Sequence, residues 1–324
     1  MKLLIILPNW LGDAIMATPA IELLTQEYPN ARLTFVGSYA SIEALKHHPR
    51  CERAIVDETK KAPSRLIATY KLAHALGSFD LAVSFRNQLH ASLLLRFTGT
   101  VVSIARRSWH SIFLLSHTPK ISTKQHLCLQ YAQLAMSDTH NWNRQTPPLA
   151  LYIKAKHFTK PMLGINAGAT YGSAKRWYPE RFAAVAAAFS EKYDILIFGG
   201  PSEEPMAKEI EDSLLRLGVK NFTNIAGKTN IEELCANIGG CCLFITNDSG
   251  PMHIAAAYQV PTVAIFGPTK HTETSQWMNK KSKIVRHEMQ CSPCMKRECP
   301  LGHHECMTTI TAAEVIAAVH ELGF

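Results

Sequence analysis

The sequence predicts an α/β chain of two doubly wound, Rossmann-like domains facing a central cleft, and three observations predict it. Short apolar runs alternate with helical patterns along the chain. That theme stops at a polar connection and then starts again. The segments that would follow the strands hold the chemistry-bearing residues, where open parallel sheets place their ligands.

In the first half, Leu3–Leu7 reads as a strand and Ala14–Glu27 as one helix stopped near Tyr28-Pro29-Asn30. Further strands are expected at Leu33–Val36, Ala54–Val56, Leu81–Phe85 and Val101–Ala105, with helices near Ser41–His47, Ser64–Leu76 and His90–Phe97. The stretch 142–161, with Pro147-Pro148, reads as the connection. In the second half, strands are expected at Met162–Asn166, Ile195–Phe198, Leu243–Thr246 and Thr262–Phe266. Helices are expected at Pro179–Lys192, Glu203–Leu217, Ile231–Ile238, Met252–Tyr258 and Ala312–Leu322. Pro179 suits a first helical turn, and Thr311 with Glu314 forms a capping-box pattern. The expected domains are 1–155 and 156–310, with a last helix, 311–324, packing back on the first domain.

A length of 324 residues suits two domains at ~150 residues each. The chain is 47% hydrophobic and 19% charged, enough for full-sized cores. Its first apolar run is shorter than the roughly 7–15 residues of a signal peptide, and no stretch nears the ~20 of a membrane span. A cytoplasmic protein without a transmembrane segment is expected. Its nine cysteines then read as thiols or metal ligands rather than disulfides.

The net charge of +8 is uneven. Residues 1–160 hold 19 Lys+Arg against 9 Asp+Glu, and residues 161–324 hold 15 against 17. A basic first half suits an anionic partner, although a solvated face explains charge alone equally well. Lys60, Lys61, Arg65, Arg86, Arg106 and Arg107 lie at or between the expected strand ends and are candidate contacts. No basic run is interleaved with aromatics, so a nucleic acid is not the expected partner.

Several fingerprints fail. No G-x-G-x-x-G follows a strand, which argues against a nicotinamide dehydrogenase. Gly227-Lys228-Thr229 resembles the end of a P-loop, but Phe222 stands where its leading glycine belongs. Asn247-Asp248-Ser249-Gly250 lacks the leading glycine of a nucleophile elbow. There is no Asp-x-Asp pair to hold a divalent ion on a diphosphate.

The second half offers protein groups for an anion instead. Asp248-Ser249-Gly250 lies where a strand hands over to a helix, so free N–H groups and the helix dipole are available there. Gly250 permits close approach, Ser249 can donate, and Lys175 supplies a point charge. Alone, Asp248-Ser249-Gly250 reads better as an ordinary helix cap. His253, one turn on, and Lys175, from another strand end, are expected to converge on the same crevice. Asp13 follows the first strand. An isolated Asp there is more often a cap, but it could also take a proton from an incoming hydroxyl.

Three segments resemble a known family. They are Asn9-Trp10-x-Gly12-Asp13, Gly168-x-x-x-Gly172-x-Ala174-Lys175-Arg176-Trp177, and Asn247-Asp248-Ser249-Gly250-x-Met252-His253-x-Ala255-Ala256-Ala257 followed by Phe266-Gly267-Pro268-Thr269. They look like the bacterial ADP-heptose:lipopolysaccharide heptosyltransferases of glycosyltransferase family 9, nearest the heptosyltransferase II branch. The resemblance spans nearly the whole chain. It implies a GT-B architecture with an N-terminal acceptor domain, a C-terminal ADP-heptose domain and an inverting transfer to the first heptose of the inner core. It carries the catalytic-base role to Asp13 and donor binding to Thr170, Ser173, Lys175, Asp248, Ser249, Gly250 and His253. Glu203, after Gly199-Gly200, matches the position expected to reach the ribose hydroxyls. The implied partners are ADP-heptose and a phosphorylated lipid A–core glycolipid, met peripherally at the inner face of the inner membrane. Alternatives are a heptosyltransferase I acting on Kdo-lipid A, or a non-transferase sugar-nucleotide enzyme such as an epimerase.

Cys291-x-x-Cys294, Cys299 and Cys306, with His303 and His304 between, have the most metal-like spacing in the chain. Four thiolates there could close a structural zinc or iron site. A loop of free thiols is the equal alternative, since the spacing matches no standard finger. Catalysis itself is expected to require no cofactor.

Overall fold

The computed structural model describes residues 1–137 and 144–324, and the statements below concern those residues. Two compact units result, Met1–Tyr152 and Ile153–Phe324. The division falls three residues before the expected boundary. Part of the expected connection, including Trp142, lies outside the described residues.

In the first unit the strands are β1 (Lys2–Ile6), β2 (Arg32–Gly37), β3 (Cys51–Val56), β4 (Leu81–Ser84) and β5 (Val102–Ala105). The helices are α1 (Leu11–Met16), α2 (Thr18–Glu27), α3 (Tyr39–Leu45), α4 (Arg65–Leu76), α5 (Leu89–Phe97), α6 (Ser111–Leu114) and α7 (Leu127–Ala135). All strand pairs are parallel, in the order β3-β2-β1-β4-β5. Leu3–Leu7 is unbroken apolar sequence because β1 is central and covered on both faces. β3, at the edge, keeps Glu52, Arg53 and Ala54 exposed. The helix expected over Ala14–Glu27 is two helices. Pro19 has no N–H to continue the ladder, so the chain restarts at Thr18, whose hydroxyl donates to the Ile15 carbonyl at 2.7 Å.

The second unit contains β6 (Met162–Asn166), β7 (Asp194–Phe198), β8 (Phe222–Asn224), β9 (Leu243–Asn247), β10 (Thr262–Ile265) and β11 (Ser282–Val285). Its helices are α8 (Pro179–Ala188), α9 (Glu204–Arg216), α10 (Ile231–Gly239), α11 (Gly250–Ala257), α12 (His271–Thr274), α13 (Glu305–Thr308) and α14 (Ala312–Glu321). The sheet is again parallel, in the order β11-β10-β9-β6-β7-β8. Its edge strands β8 and β11 were not expected from the sequence. Both are short and half-exposed, so neither an apolar run nor clean alternation marks them.

The last helix belongs to the second unit's core. Val315, Ala318 and Val319 of α14 are buried in the second unit's own core with Trp177, Phe182 and Ile310. The capping box from Thr311 and Glu314 forms as expected and starts the helix there. Among the described residues, no helix is long and apolar enough to cross a membrane.

Candidate functional site

The carboxyl ends of β6 and β9 are neighbours in the second sheet, and their loops are tied together by two asparagines. Asn166 Nδ2 donates to the Gly168 carbonyl at 3.2 Å and lies 3.2 Å from Ser249 Oγ. Asn247 Nδ2 donates to the Ala167 carbonyl at 2.5 Å, while its Oδ1 accepts the Trp177 N–H at 3.1 Å. Both asparagines are buried, so the two loops are held by satisfied polar groups in a low-dielectric setting. Sequence reasoning gave neither a role, although Asn247 opens a quoted segment and Asn166 ends an expected strand.

The ties bring Lys175 to the start of α11. Its Nζ lies 2.6 Å from Asp248 Oδ2, and the Thr269 hydroxyl donates to the same oxygen at 2.6 Å. Nζ also sits 4.8 Å over the Tyr171 ring. Asp248 was expected among the donor-binding groups beside Lys175. The structure buries it to 4% exposure and pairs it with Lys175 and Thr269. Lys175 is therefore a positioned cation.

Ser249 is the N-cap of α11, yet its side chain caps no helix amide, being turned to Asn166 and, at 3.4 Å, Thr246. Pro251 occupies the first turn, where its missing N–H costs nothing. The helix start beside Lys175 thus keeps its positive dipole end without a side-chain acceptor. His253, expected in the same crevice, is the fourth residue of α11 and only 3% exposed. Thr170 and Ser173 remain exposed on the loop that ends at Lys175.

Glu203 follows β7. Its Oε2 accepts the Gly200 N–H at 2.9 Å, and its carboxyl rests against Gly168, where any Cβ would overlap it. The carboxylate therefore stands at the end of β6 as well as β7, and Gly168 is the residue type that admits it.

The cysteine-rich segment buttresses the Lys175 loop. Tyr171 Oη donates to the Met295 carbonyl at 2.8 Å, the Ala174 N–H donates to Arg297 O at 3.0 Å, and His304 Nε2 lies 2.9 Å from the Ala174 carbonyl. Gly172 is pressed against the Arg297 backbone and tolerates no Cβ. Cys291, Cys294, Cys299 and Cys306 line one small cavity with His303 and His304. Burial first, then the neighbouring sulfurs, push the Cys306 thiol up to about 11. Backbone N–H groups, that of His304 foremost, bring Cys299 down from its usual value. Among the described residues, no three His, Cys, Asp or Glu side chains form a group that could hold a metal ion as they stand.

In the first unit Asp13 is not a helix cap. Trp10 is the N-cap of α1, and Asp13 lies in the first turn, partly exposed. The approach to it is braced at three successive carbonyls. Arg86 Nε donates to Leu7 O at 2.6 Å, Ser41 Oγ to Pro8 O at 2.5 Å, and Ser38 Oγ to Asn9 O at 2.8 Å. Tyr131 of α7 is nearby, its phenol pushed well above its usual value by burial and next by the Asp13 carboxylate.

Arg86 is corrected from a candidate partner contact to an internal group. It is buried against Asp57, with Nη1 to Oδ2 at 2.8 Å. His90 Nε2 lies 3.0 Å from the same oxygen, and the Thr59 hydroxyl donates to Oδ1 at 2.6 Å. Burial opposes the Asp57 charge, yet the bonds from His90 and Thr59 hold its carboxyl well below the usual range. Arg106 is half-buried and donates to Gln130 Oε1 at 2.6 Å. Lys60, Lys61, Arg65 and Arg107 are exposed.

Comparisons with known proteins identify the family and the fold. The family model described as glycosyltransferase family 9 (heptosyltransferase) matches residues 69–305. The lipooligosaccharide heptosyltransferase 2 of Campylobacter jejuni subsp. jejuni serotype O:2 is 38% identical over 331 residues, covering 99% of this chain and 98% of that protein. The solved structure of E. coli ADP-heptose lps heptosyltransferase II superposes with a TM-score of 0.84 at 24% identity, covering 99% of this chain and 98% of that one. An E. coli heptosyltransferase with ADP superposes at 0.81 and 17% identity, covering 99% and 100%. Both superpositions match the two parallel sheets with their helices, the GT-B-like fold. The chain belongs to glycosyltransferase family 9, the heptosyltransferases, and is a glycosyltransferase.

Proposed function

We propose that this chain is a heptosyltransferase II, moving heptose from ADP-L-glycero-D-manno-heptose to the first heptose of the lipopolysaccharide or lipooligosaccharide inner core. The observation that carries the reading is Lys175, fixed by Asp248 and Thr269 beside the open start of α11. The names borne by the relatives support the donor and the acceptor.

In this mechanism the acceptor hydroxyl loses its proton to the Asp13 carboxylate as its oxygen bonds to the anomeric carbon. The bond from that carbon to the diphosphate oxygen breaks on the opposite face, which inverts the centre. The ADP leaves with its developing charge met by Lys175 and the α11 terminus, with Ser249 and Gly250 lining the approach. Thr170 and Ser173 supply hydroxyls to the phosphates, and Glu203 accepts from the ribose. Protein groups neutralise the leaving group, so transfer needs no divalent ion in this scheme. The cysteine loop acts structurally, by holding Tyr171 and Ala174; an ion drawn in among its thiols would stiffen that support. The acceptor is lipid-linked, so the enzyme works at the membrane surface.

The test is ADP release with purified protein, ADP-heptose and a lipid A–core acceptor carrying one heptose, set against the heptose-free acceptor. Turnover on the first alone is expected. Turnover on the heptose-free acceptor alone would make it a heptosyltransferase I, and consumption of ADP-heptose with no acceptor would make it another sugar-nucleotide enzyme.

A further inference from the structure

The segment after β5 is built inside out. Ser111 is fully buried and His110 nearly so, whereas Trp109, Ile112 and Phe113 are 73%, 44% and 85% exposed. The polar side holds the turn rigid. Ser111 Oγ donates to the Arg106 carbonyl at 3.0 Å and accepts the Ser108 N–H at 2.8 Å, and His110 Nδ1 lies 3.0 Å from Ser92 Oγ. A turn whose only task is to stay folded in water would place these side chains the other way round.

Its surroundings have the same character. In a parallel sheet the starts of the following helices lie at one edge, so the turn after β5 shares an edge with the starts of α4 and α5. Leu66, Ile67 and Leu89 are exposed there at 57%, 57% and 42%. The cations Lys60, Lys61, Arg65 and Arg107 stand exposed in the same connections. Opposing charge is sparse, since Asp57 is buried in its own network and exposed Glu58 is paired with Lys61 at 2.8 Å. The unit as a whole has 16 Lys+Arg against 9 Asp+Glu.

We infer that this edge, with Trp109, Ile112 and Phe113 at its tip, docks the enzyme on an anionic lipid bilayer. Aromatic and aliphatic side chains flanked by cations are what the interface of such a bilayer accepts, the rings at headgroup depth and the cations against phosphates. Charge decides for a bilayer over a second copy, because two such edges face to face would bring like charges together. The inference deepens the proposed function, since a lipid-linked acceptor reaches Asp13 only if the same edge meets the membrane that carries it. Docking itself rests on the exposed residues and not on the reaction.

The experiment is sedimentation of the full chain with acceptor-free vesicles, of phosphatidylcholine alone or mixed with phosphatidylglycerol. Binding to the mixed vesicles that weakens with salt is expected, with little binding to phosphatidylcholine alone. The doubly substituted Trp109→Ser, Phe113→Ser protein should bind roughly tenfold more weakly with an unchanged melting temperature, because both side chains are already in water. Turnover separates this result from the reaction. The variant should equal the parent on a delipidated core oligosaccharide and fall behind it on acceptor embedded in vesicles. Parent protein that ignores the mixed vesicles, or a variant that binds them as well as the parent does, overturns the inference. So does self-association of the parent that these substitutions abolish. If neither protein transfers heptose to any acceptor, the proposed function fails while the vesicle result still decides the docking edge.

Discussion

The two sheets share one strand order over five strands, but their strand ends differ in what they leave exposed. In the second unit the loops after β6, β7 and β9 turn polar groups inward. Asn166, Asn247, Asp248 and Glu203 are all buried, and each is hydrogen-bonded to a neighbouring loop or turn. In the first unit the connections after β3 and β5 put large apolar and cationic side chains outward. The polar frame suits a small, highly charged ligand that must be held at fixed points, because its groups are already ordered before the ligand arrives. The greasy, basic edge suits an amphiphile, whose affinity comes from area and net charge. A shared fold sets where ligands go, and the side chains at the strand ends set what they are.

The largest expected effect tests the proposed base in the first unit. Asp13→Asn keeps the size and removes the base, so kcat should fall at least about 10²-fold, with ADP affinity and melting temperature nearly unchanged. Retained turnover with a lower melting temperature would reduce Asp13 to a favourable charge in the first turn of α1.

The second unit offers a finer contrast, because Lys175 and Asp248 are one pair with different tasks. Lys175→Ala removes a charge-assisted contact to the diphosphate worth about 1.5–3 kcal/mol, so ADP should bind roughly 10–100-fold more weakly. It also strands buried Asp248, so the melting temperature should drop. Asp248→Asn keeps the cation and can keep the Thr269 bond, so ADP affinity should hold while stability alone suffers. Equal losses of ADP affinity in both variants would show the pair to be a structural unit with no donor contact of its own.

Salt should separate the two units without any substitution. The KM for the phosphorylated acceptor should rise with ionic strength more steeply than the KM for the donor, because Lys60, Lys61, Arg65 and Arg107 are exposed and Lys175 is largely enclosed. Parallel salt dependences would leave the charge asymmetry without a function.

The smallest effect concerns Glu314. Backbone and side-chain bonds from Thr311, then the bond with His287, hold its carboxyl down to about 2. A depressed folded value stabilises above the ordinary carboxylate range, and that contribution disappears as pH falls from there towards about 2. The group is largely solvated, so Glu314→Gln should cost no more than about 1 kcal/mol in a urea titration at neutral pH. An acid-side stability curve that this substitution leaves unchanged would dismiss the contribution.

By itself, the sequence determined the alternation of strands and helices, the restart near residue 156 and the strand-end segments that hold Asp13, Lys175, Glu203 and Ser249-Gly250. These are local properties: an unbroken apolar run marks a strand covered on both faces, and glycine beside polar residues marks the turn that follows it. Tertiary structure decided what local pattern cannot carry. It placed α14 on its own unit, because a helix's apolar stripe does not say which core will take it. It turned Arg86 inward to Asp57 and Asp248 to Lys175, pairings between residues 29 and 73 positions apart that only the folded sheets bring into contact. It buried His253 within α11, a burial that its place in the sequence pattern does not reveal. It also turned Trp109 and Phe113 outward, because the hydrogen bonds of Ser111 and His110, and not hydropathy, orient that turn.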